Sequence, residues 1–431
     1  MKRNSIRRIA LVVLAMLGCA SELDAQGIVV PGAGPVNRSM ASAGVAAPLD
    51  VAGALNWNPA SITGLESSEF LIGAEFLYLS THIGSTVDVA PGVTLAGETR
   101  SDSGVSVLPT VAVAFRNEDS PWTFGVGLFS VGGFGINLPA SPSTPPMNPV
   151  LSPNLGVGSA YTKLAVMQLV PTAALQVTDR LSIGLAPTIA IADAALDPNI
   201  LAAPNQDGYP SATHTRTNWG LGFQLGVYYE LENGWHLGAS YKSPQWFEEF
   251  TYYSEDAQGN PRTDYLKMDY PAIVSVGAAY YGLPRTVWAI DARYVDYAGA
   301  QLFGQAAGFN DSFAVTGLGW RSVFAVATGV QYQLTDALSL RCGYLFTENP
   351  TPNEATFYNI GSPAIYKHML SVGASWWITP RTSLMVAYVK AFENSISGAW
   401  ESPLFGGPVP GTSVTARQSV DCLVTGLQVK F

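Results

Sequence analysis

The side chains best suited to acid–base, nucleophilic or metal chemistry are His82, His214, His236 and His368, with Cys342 and Cys422 as the cysteines that lie beyond the first 25 residues. A metal site draws on ligands a few residues apart or one helical turn apart. None of these six stands at such a spacing. The acidic residues are scattered, so no nucleophile, base and orienting group come together along the chain. A membrane phospholipase or protease would have to assemble its nucleophile and base from separate strands. The expectation is therefore a protein that is not an enzyme and needs no metal or cofactor. One short motif has a mechanical reading. In Asn58-Pro59-Ala60, proline fixes φ and asparagine can cap the turn, giving a rigid corner.

The elements that would position these residues follow from composition. Of 431 residues, 48% are hydrophobic and only 13% charged, with 43 Gly and 29 Pro, against about 25% charged in a typical soluble domain. No run reaches the roughly 18–20 apolar residues of a membrane-spanning helix. The longest run, Ile9 to Ala20, follows Lys2, Arg3, Arg7 and Arg8, the pattern of a secretory signal peptide over residues 1–25. Gly18-Cys19 lacks the leucine of a lipoprotein site, and Arg7-Arg8 lacks the rest of a twin-arginine motif. Without residues 1–25 the chain carries 18 Lys+Arg against 30 Asp+Glu. Such an acidic chain without a basic run makes a poor nucleic-acid binder.

After residue 67 the dominant signal is alternation at period 2, which sends successive side chains to opposite faces of a strand. Trp219, Leu221, Phe223, Leu225, Val227, Tyr229 and Leu231 interleave with small or polar residues. About fourteen such segments are expected, near 68–83, 104–116, 121–137, 160–177, 180–194, 217–231, 234–251, 265–282, 284–298, 320–334, 336–347, 366–378, 381–397 and 415–431. Tight turns alternate with long connections at 84–103, 138–159, 195–216, 252–264, 299–319, 348–365 and 398–414. An even strand number, short turns at one end and long loops at the other are the signature of an outer-membrane β-barrel. A secreted β-sandwich or propeller is the competing architecture, but it would carry charge on its solvent faces. The fold expected is thus all-β: a transmembrane antiparallel barrel over 68–431, in the outer membrane and in contact with its lipid.

Residues 26–67 do not alternate and are rich in Gly, Ala and Pro, too small to form a core of their own but able to pack inside a barrel as a hatch. The run Ser42-Ala43-Gly44, Asp50, Ala54 and Asn58-Pro59-Ala60, continuing to Leu65 and leading straight into the first strand, resembles the long-chain fatty-acid transporter family (FadL-type), which includes aromatic hydrocarbon transporters. That resemblance implies a fourteen-stranded outer-membrane barrel with an N-terminal hatch, and places Asn58, Pro59 and Ala60 where the hatch meets the wall opening and controls passage. The C-terminal strand, closing on Phe431, resembles the segment read by barrel-assembly machinery.

Three further features fit transport of an apolar molecule by a monomer. The third strand alternates through Trp122, Phe124, Val126 and Leu128, then breaks phase at Phe129 and Val131 and runs into Gly132, Gly133, Phe134 and Gly135, as at a bulge. In the family this is an inward kink that opens a lateral hole. Bulky residues at Gly132 and Gly133 are expected to reduce uptake while leaving assembly intact. Two loops are apolar where exposed loops should be polar, with Leu138, Met147, Val150, Leu151 and Leu155 in one and Leu196, Ile200 and Leu201 in the other, as in a hydrophobic ligand groove. The lumen-side register carries Gln224, Lys242, Asp291, Arg293, Gln331 and Arg341, which suit either an acidic head group or a hydrated lumen. The function expected is passive transport of fatty acids or aromatic hydrocarbons, captured by the loops, gated by the hatch and released sideways. The alternatives are a general porin and a structural or adhesive barrel.

Overall fold

The computed structural model describes residues 27–117, 119–140, 158–203, 209–212 and 216–431. The alternating segments become fourteen wall strands: β1 (Glu69–Ala90), β2 (Val105–Arg116), β3 (Trp122–Leu138), β4 (Ala160–Gln176), β5 (Leu181–Asp197), β6 (Arg216–Glu230), β7 (Trp235–Lys242), β8 (Ala272–Leu283), β9 (Thr286–Asp296), β10 (Val323–Thr335), β11 (Leu338–Thr347), β12 (His368–Trp377), β13 (Thr382–Gly398) and β14 (Thr412–Lys430). Each pairs antiparallel with its sequence neighbour, and β14 closes on β1 in register from Glu69↔Lys430 to Val87↔Thr412. Closure answers a physical need, because unpaired backbone groups are costly in lipid. At the seam the Phe431 amide donates to the Ser68 carbonyl at 3.0 Å, and its ring meets Phe115 edge-on.

The two faces segregate opposite to a soluble protein. In β6, Trp219, Leu221, Leu225 and Val227 are exposed while Gly220, Gln224, Gly226 and Tyr228 turn inward. Exposed aromatics collect at both ends of the wall, with Phe115, Trp122, Tyr332 and Trp376 near the short turns and Trp219, Trp246 and Phe324 near the long connections. These are the two interfacial girdles of a membrane barrel. Among the described residues no helix is long and apolar enough to cross a membrane.

Several long connections are more ordered than the alternation suggests. In the segment expected as a loop at 84–103, β1 runs on to Ala90 and folds back through Val93–Arg100 over the turn at Gly92, whose φ is +79°. The segment 252–264 lies within a hairpin, Phe250–Glu255 against Pro261–Leu266. Conversely, the strands expected at 234–251 and 265–282 are interrupted around Pro244 and Pro271, where proline supplies no amide to the ladder.

Inside the wall lies the N-terminal segment, with helices α1 (Gly34–Ser39) and α2 (Val51–Trp57) followed by a 3₁₀ turn at Pro59–Gly64. Helices this short do not persist alone in water. Here every residue of both is buried, and the Asp50 carboxylate caps α2 by accepting from the Gly53 amide at 2.8 Å. The first 25 residues, read as a signal peptide, lie outside the described residues.

Candidate functional site

The hatch is seated by glycines of the wall. A Cβ on Gly184 or Gly226 would strike the Asn58-Pro59-Ala60 corner, one on Gly238 would strike the Val45 carbonyl, and one on Gly329 or Gly343 would strike Met40 or Ala41. The glycines on the lumen side of the alternating strands therefore make room for the hatch. Polar side chains then fix it. Asp291 Oδ2 accepts from the Gly44 and Val45 amides at 2.7 and 3.1 Å and from Arg293 at 2.8 Å, while Arg293 also donates to the Ser42 carbonyl. The Arg293 guanidinium lies 3.6 Å from the Trp57 ring centroid and Lys242 4.8 Å from it, a double cation–π contact. Gln224 and Lys242 both reach Asn56. Four of the six lumen residues that suited an acidic head group thus hold the hatch. The other two, Gln331 and Arg341, bond to each other at 2.6 Å and line a polar vestibule of about 570 Å³ beside the hatch.

Asn58 is wholly buried. Its amide donates to the Val45 and Val227 carbonyls, each at 2.9 Å, and its Oδ1 accepts from Ala60 at 3.1 Å. The motif is therefore a clamp onto β5 and β6. It does not line the cavity at the wall opening, as the resemblance implied; Gly27–Pro31 do. Asn58→Ala leaves the buried Val45 carbonyl and Ala60 amide without this partner and removes the contact to Val227, and is expected to weaken hatch docking by about 2–4 kcal/mol. Faster amide exchange in residues 32–65, with an unchanged barrel melting temperature, would register the loss.

Burial pushes the Asp50 carboxyl up to about 6, against which the Gly53 amide and Arg341 act more weakly. Its Oδ2 has no hydrogen-bond partner among the described residues. An acid raised from 3.8 to about 6 on docking favours the docked hatch most below pH 3.8, and this support is lost as pH rises through 6. Protection factors of the hatch amides, with the intrinsic base-catalysed rate divided out, are expected to be higher at pH 5 than at pH 7.5. Asp50→Asn keeps an acceptor for the helix cap and should flatten that pH dependence.

β3 separates from β2 part-way up. The two pair from Arg116↔Thr123 to Thr110↔Phe129, and beyond Phe129 β3 stays only with β4, through a bulge between Ser130 and Gly132. The upper part of β2 pairs with β1 alone. The freed edge of β3 is taken by the start of the hatch, with Val30 donating to Val131 at 2.9 Å and Gly133 to Ile28 at 3.0 Å. Tyr270 donates to the Val131 carbonyl at 2.7 Å. Higher up, the Asp102 amide donates to Asn137 at 2.8 Å and Asn137 to Ser101 Oγ at 3.0 Å, bridging the gap again. Between these two pairings is a window holding a cavity of about 550 Å³, bordered by Val105, Val107, Gly132, Gly133, Phe134 and Gly135 on the wall and Gly27–Pro31 on the hatch.

A second, largely apolar chamber of about 130 Å³ adjoins it and shares Phe134, Lys163 and Leu164 with the window cavity. Leu196, Ile200 and Leu201 line it, together with Tyr252, Leu266, Met268, Leu302, Phe303 and Phe357. Three of these contributing segments, 252–268, 302–318 and 357–362, are read from the sequence as connections, or for 265–268 as the start of a strand, and not as ligand contacts. Their spaced apolar residues were the available signal. Leu138 is not in the chamber. It is 1% exposed and packs with Ile83, Ile136 and Trp400, because the end of β3 turns it into the wall's own apolar cluster. Met147, Val150, Leu151 and Leu155 lie outside the described residues.

No set of His, Cys, Asp and Glu suited to a metal occurs among the described residues. His82 pairs with Glu98, and His236 and His368 with tyrosines; His214 lies outside the described residues. Cys342 is exposed and Cys422 buried, and both are free.

Residues 16–431 match the family model described as outer membrane protein transport protein (OMPP1/FadL/TodX). Outer membrane protein P1 of Haemophilus influenzae is 22% identical, over 88% of this chain and 88% of that protein. The fold is shared with a Pseudomonas aeruginosa FadL homologue at TM-score 0.72 and 17% identity, covering 94% of this chain and 99% of that one. It is also shared with the Ralstonia pickettii toluene transporter TbuX, at TM-score 0.67 and 19% identity over 93% and 99%. The Pseudomonas putida toluene transporter TodX has TM-score 0.68 and 16% identity over the same shares.

Proposed function

Because the chain belongs to the OMPP1/FadL/TodX family of outer-membrane transport proteins, we propose that it admits hydrophobic molecules passively, taking them into the apolar chamber and releasing them sideways through the window in β3. The observation that carries this reading is the adjacency of two cavities. An apolar chamber abuts, across Phe134 and Leu164, a wall cavity where β3 has left β2. A molecule moving from the first to the second passes Phe134 and Leu164, with Lys163 at the same junction, and meets the membrane at Val105 and Val107, both exposed on the outer face. At about 0.8 kcal/mol per buried CH₂, partitioning alone drives a long acyl chain towards lipid.

The hatch segment Gly27–Pro31 is the gate in this scheme, since its hydrogen bonds to Val131 and Gly133 occupy the edge a substrate must pass. Long-chain fatty acids and monoaromatic hydrocarbons are the candidate substrates. The solved relatives TbuX and TodX are named toluene transporters.

The test is uptake of a radiolabelled long-chain fatty acid and of toluene by cells that lack their own transporter and express this chain. Saturable uptake of either supports the reading. Uptake of neither, with the barrel present in the outer membrane, overturns it. A general porin is the competing reading, and deletion of 26–67 separates the two, because a porin's conductance would hardly depend on that segment.

A further inference from the structure

The polar vestibule beside the hatch lies among the short turns, the periplasmic end of such a barrel. Its charges are nearly all matched. Lys430 pairs with Glu66 at 2.7 Å and lies 3.8 Å from Glu69, Arg285 pairs with Asp336 at 2.8 Å, and His236 is engaged by Tyr228. Arg341 is the cation left over. It is 9% exposed, and its guanidinium is held by neutral acceptors, Nε donating to Gln331 Oε1 at 2.6 Å and Nη1 to Ser375 Oγ at 2.7 Å. No acid lies within ion-pair distance of it among the described residues. Its Nη2 makes no hydrogen bond among them either and, unlike the spare nitrogens of Arg38 and Arg293, is not sealed in by protein. The Gln331 amide and the Ser375 hydroxyl each keep a donor that meets no acceptor among the described residues. Asp50 is the acid whose charge bears on Arg341, but it is 1% exposed inside the hatch and does not line the vestibule.

We propose that Arg341, with Gln331 and Ser375, forms a binding site for a small monovalent carboxylate that enters from the periplasmic side. A largely buried cation without a counter-charge costs free energy that an incoming anion restores. One carboxylate oxygen would accept from Arg341 Nη2 and the other from the Gln331 amide or the Ser375 hydroxyl, as charge-assisted hydrogen bonds. The single charge follows from the count of partners, because a dianion would leave one charge unmatched in a vestibule that also holds Glu66 and Glu69. Small size and hydrophilic character follow from the polar residues on adjacent strands, Gln331 and Gln333 on β10, Ser339 and Arg341 on β11 and Ser375 on β12. The site is separate from the window and the apolar chamber, and does not depend on which molecule they pass.

The test titrates carbon-13-labelled acetate onto the purified full chain in non-ionic detergent and follows its relaxation, with protein-free micelles as the blank. Saturable binding is expected, weakened about tenfold or more in Arg341→Gln. Gln331→Glu keeps Arg341 seated but gives it a counter-charge inside the protein, and should also abolish acetate binding. Acetamide, of the same shape but neutral, should not displace acetate, sulfate should displace it poorly, and butyrate should bind no more tightly than acetate. Absence of saturable binding, binding unchanged in both variants, or displacement by acetamide overturns the site. Tighter binding of sulfate overturns the monovalent class. Tighter binding of butyrate that is lost in Arg341→Gln overturns the small hydrophilic ligand and makes the vestibule a station for an acyl chain. None of these outcomes bears on uptake through the window, which the radiolabel assay reads separately.

Discussion

Replacing Gly135 with tryptophan is expected to cut uptake on the order of tenfold, with the barrel assembled and heat-modifiable as before. A Cβ built on Gly135 meets nothing within 4 Å, and the residue borders the window cavity. A large ring there fills the passage without displacing the wall. The neighbouring glycines are poorer sites for the same experiment. Gly133 has φ +148° and its Cβ would strike the Leu164 backbone, while a Cβ on Gly132 would come within 2.6 Å of the Tyr270 ring. Bulky residues at those two positions disturb the bulge itself, so the expectation that both tolerate them is corrected by the geometry. Normal uptake by Gly135→Trp would show that substrate leaves by another route.

Asp291→Ala is expected to loosen the hatch by about 3–5 kcal/mol, since it strands the buried Arg293 cation against Trp57. The change also orphans the Gly44 and Val45 amides that Asp291 holds. Both members of the Asp291–Arg293 pair have side chains 0% exposed, so water cannot substitute. The readout is conductance in planar bilayers and sensitivity of expressing cells to large antibiotics, both of which should rise. Asp291→Asn retains an acceptor for one amide and should fall between the two. Unchanged conductance in Asp291→Ala would mean that the glycine seats and Asn58 hold the hatch unaided.

Much of the architecture was legible because a strand writes its environment locally. Each wall residue faces either lipid or lumen, and the alternation of Trp219, Leu221, Leu225 and Val227 with Gly220, Gln224 and Gly226 records that choice one residue at a time. The bulge in β3 was legible for the same reason, as a slip of phase at Phe129 and Val131 among clustered glycines. The ordered parts of the long connections were not. The Val93–Arg100 return strand and the 250–266 hairpin alternate too briefly to separate from loop, and their order comes from pairing.

The amino-acid order by itself determined a closed, lipid-facing barrel of fourteen strands with a small-residue segment to fill it, because period and composition are properties of neighbours in the chain. Only the tertiary structure decided what the lumen residues do. Asp291, Arg293 and Lys242 are polar residues on a lumen face in either reading, and whether they meet a ligand or the hatch depends on contacts with residues some 200 positions away. The same holds for the site. Leu138 and Leu196 are alike in sequence terms, yet one packs into the wall and the other lines the chamber. A cavity is the space left between distant segments, and no local pattern records it.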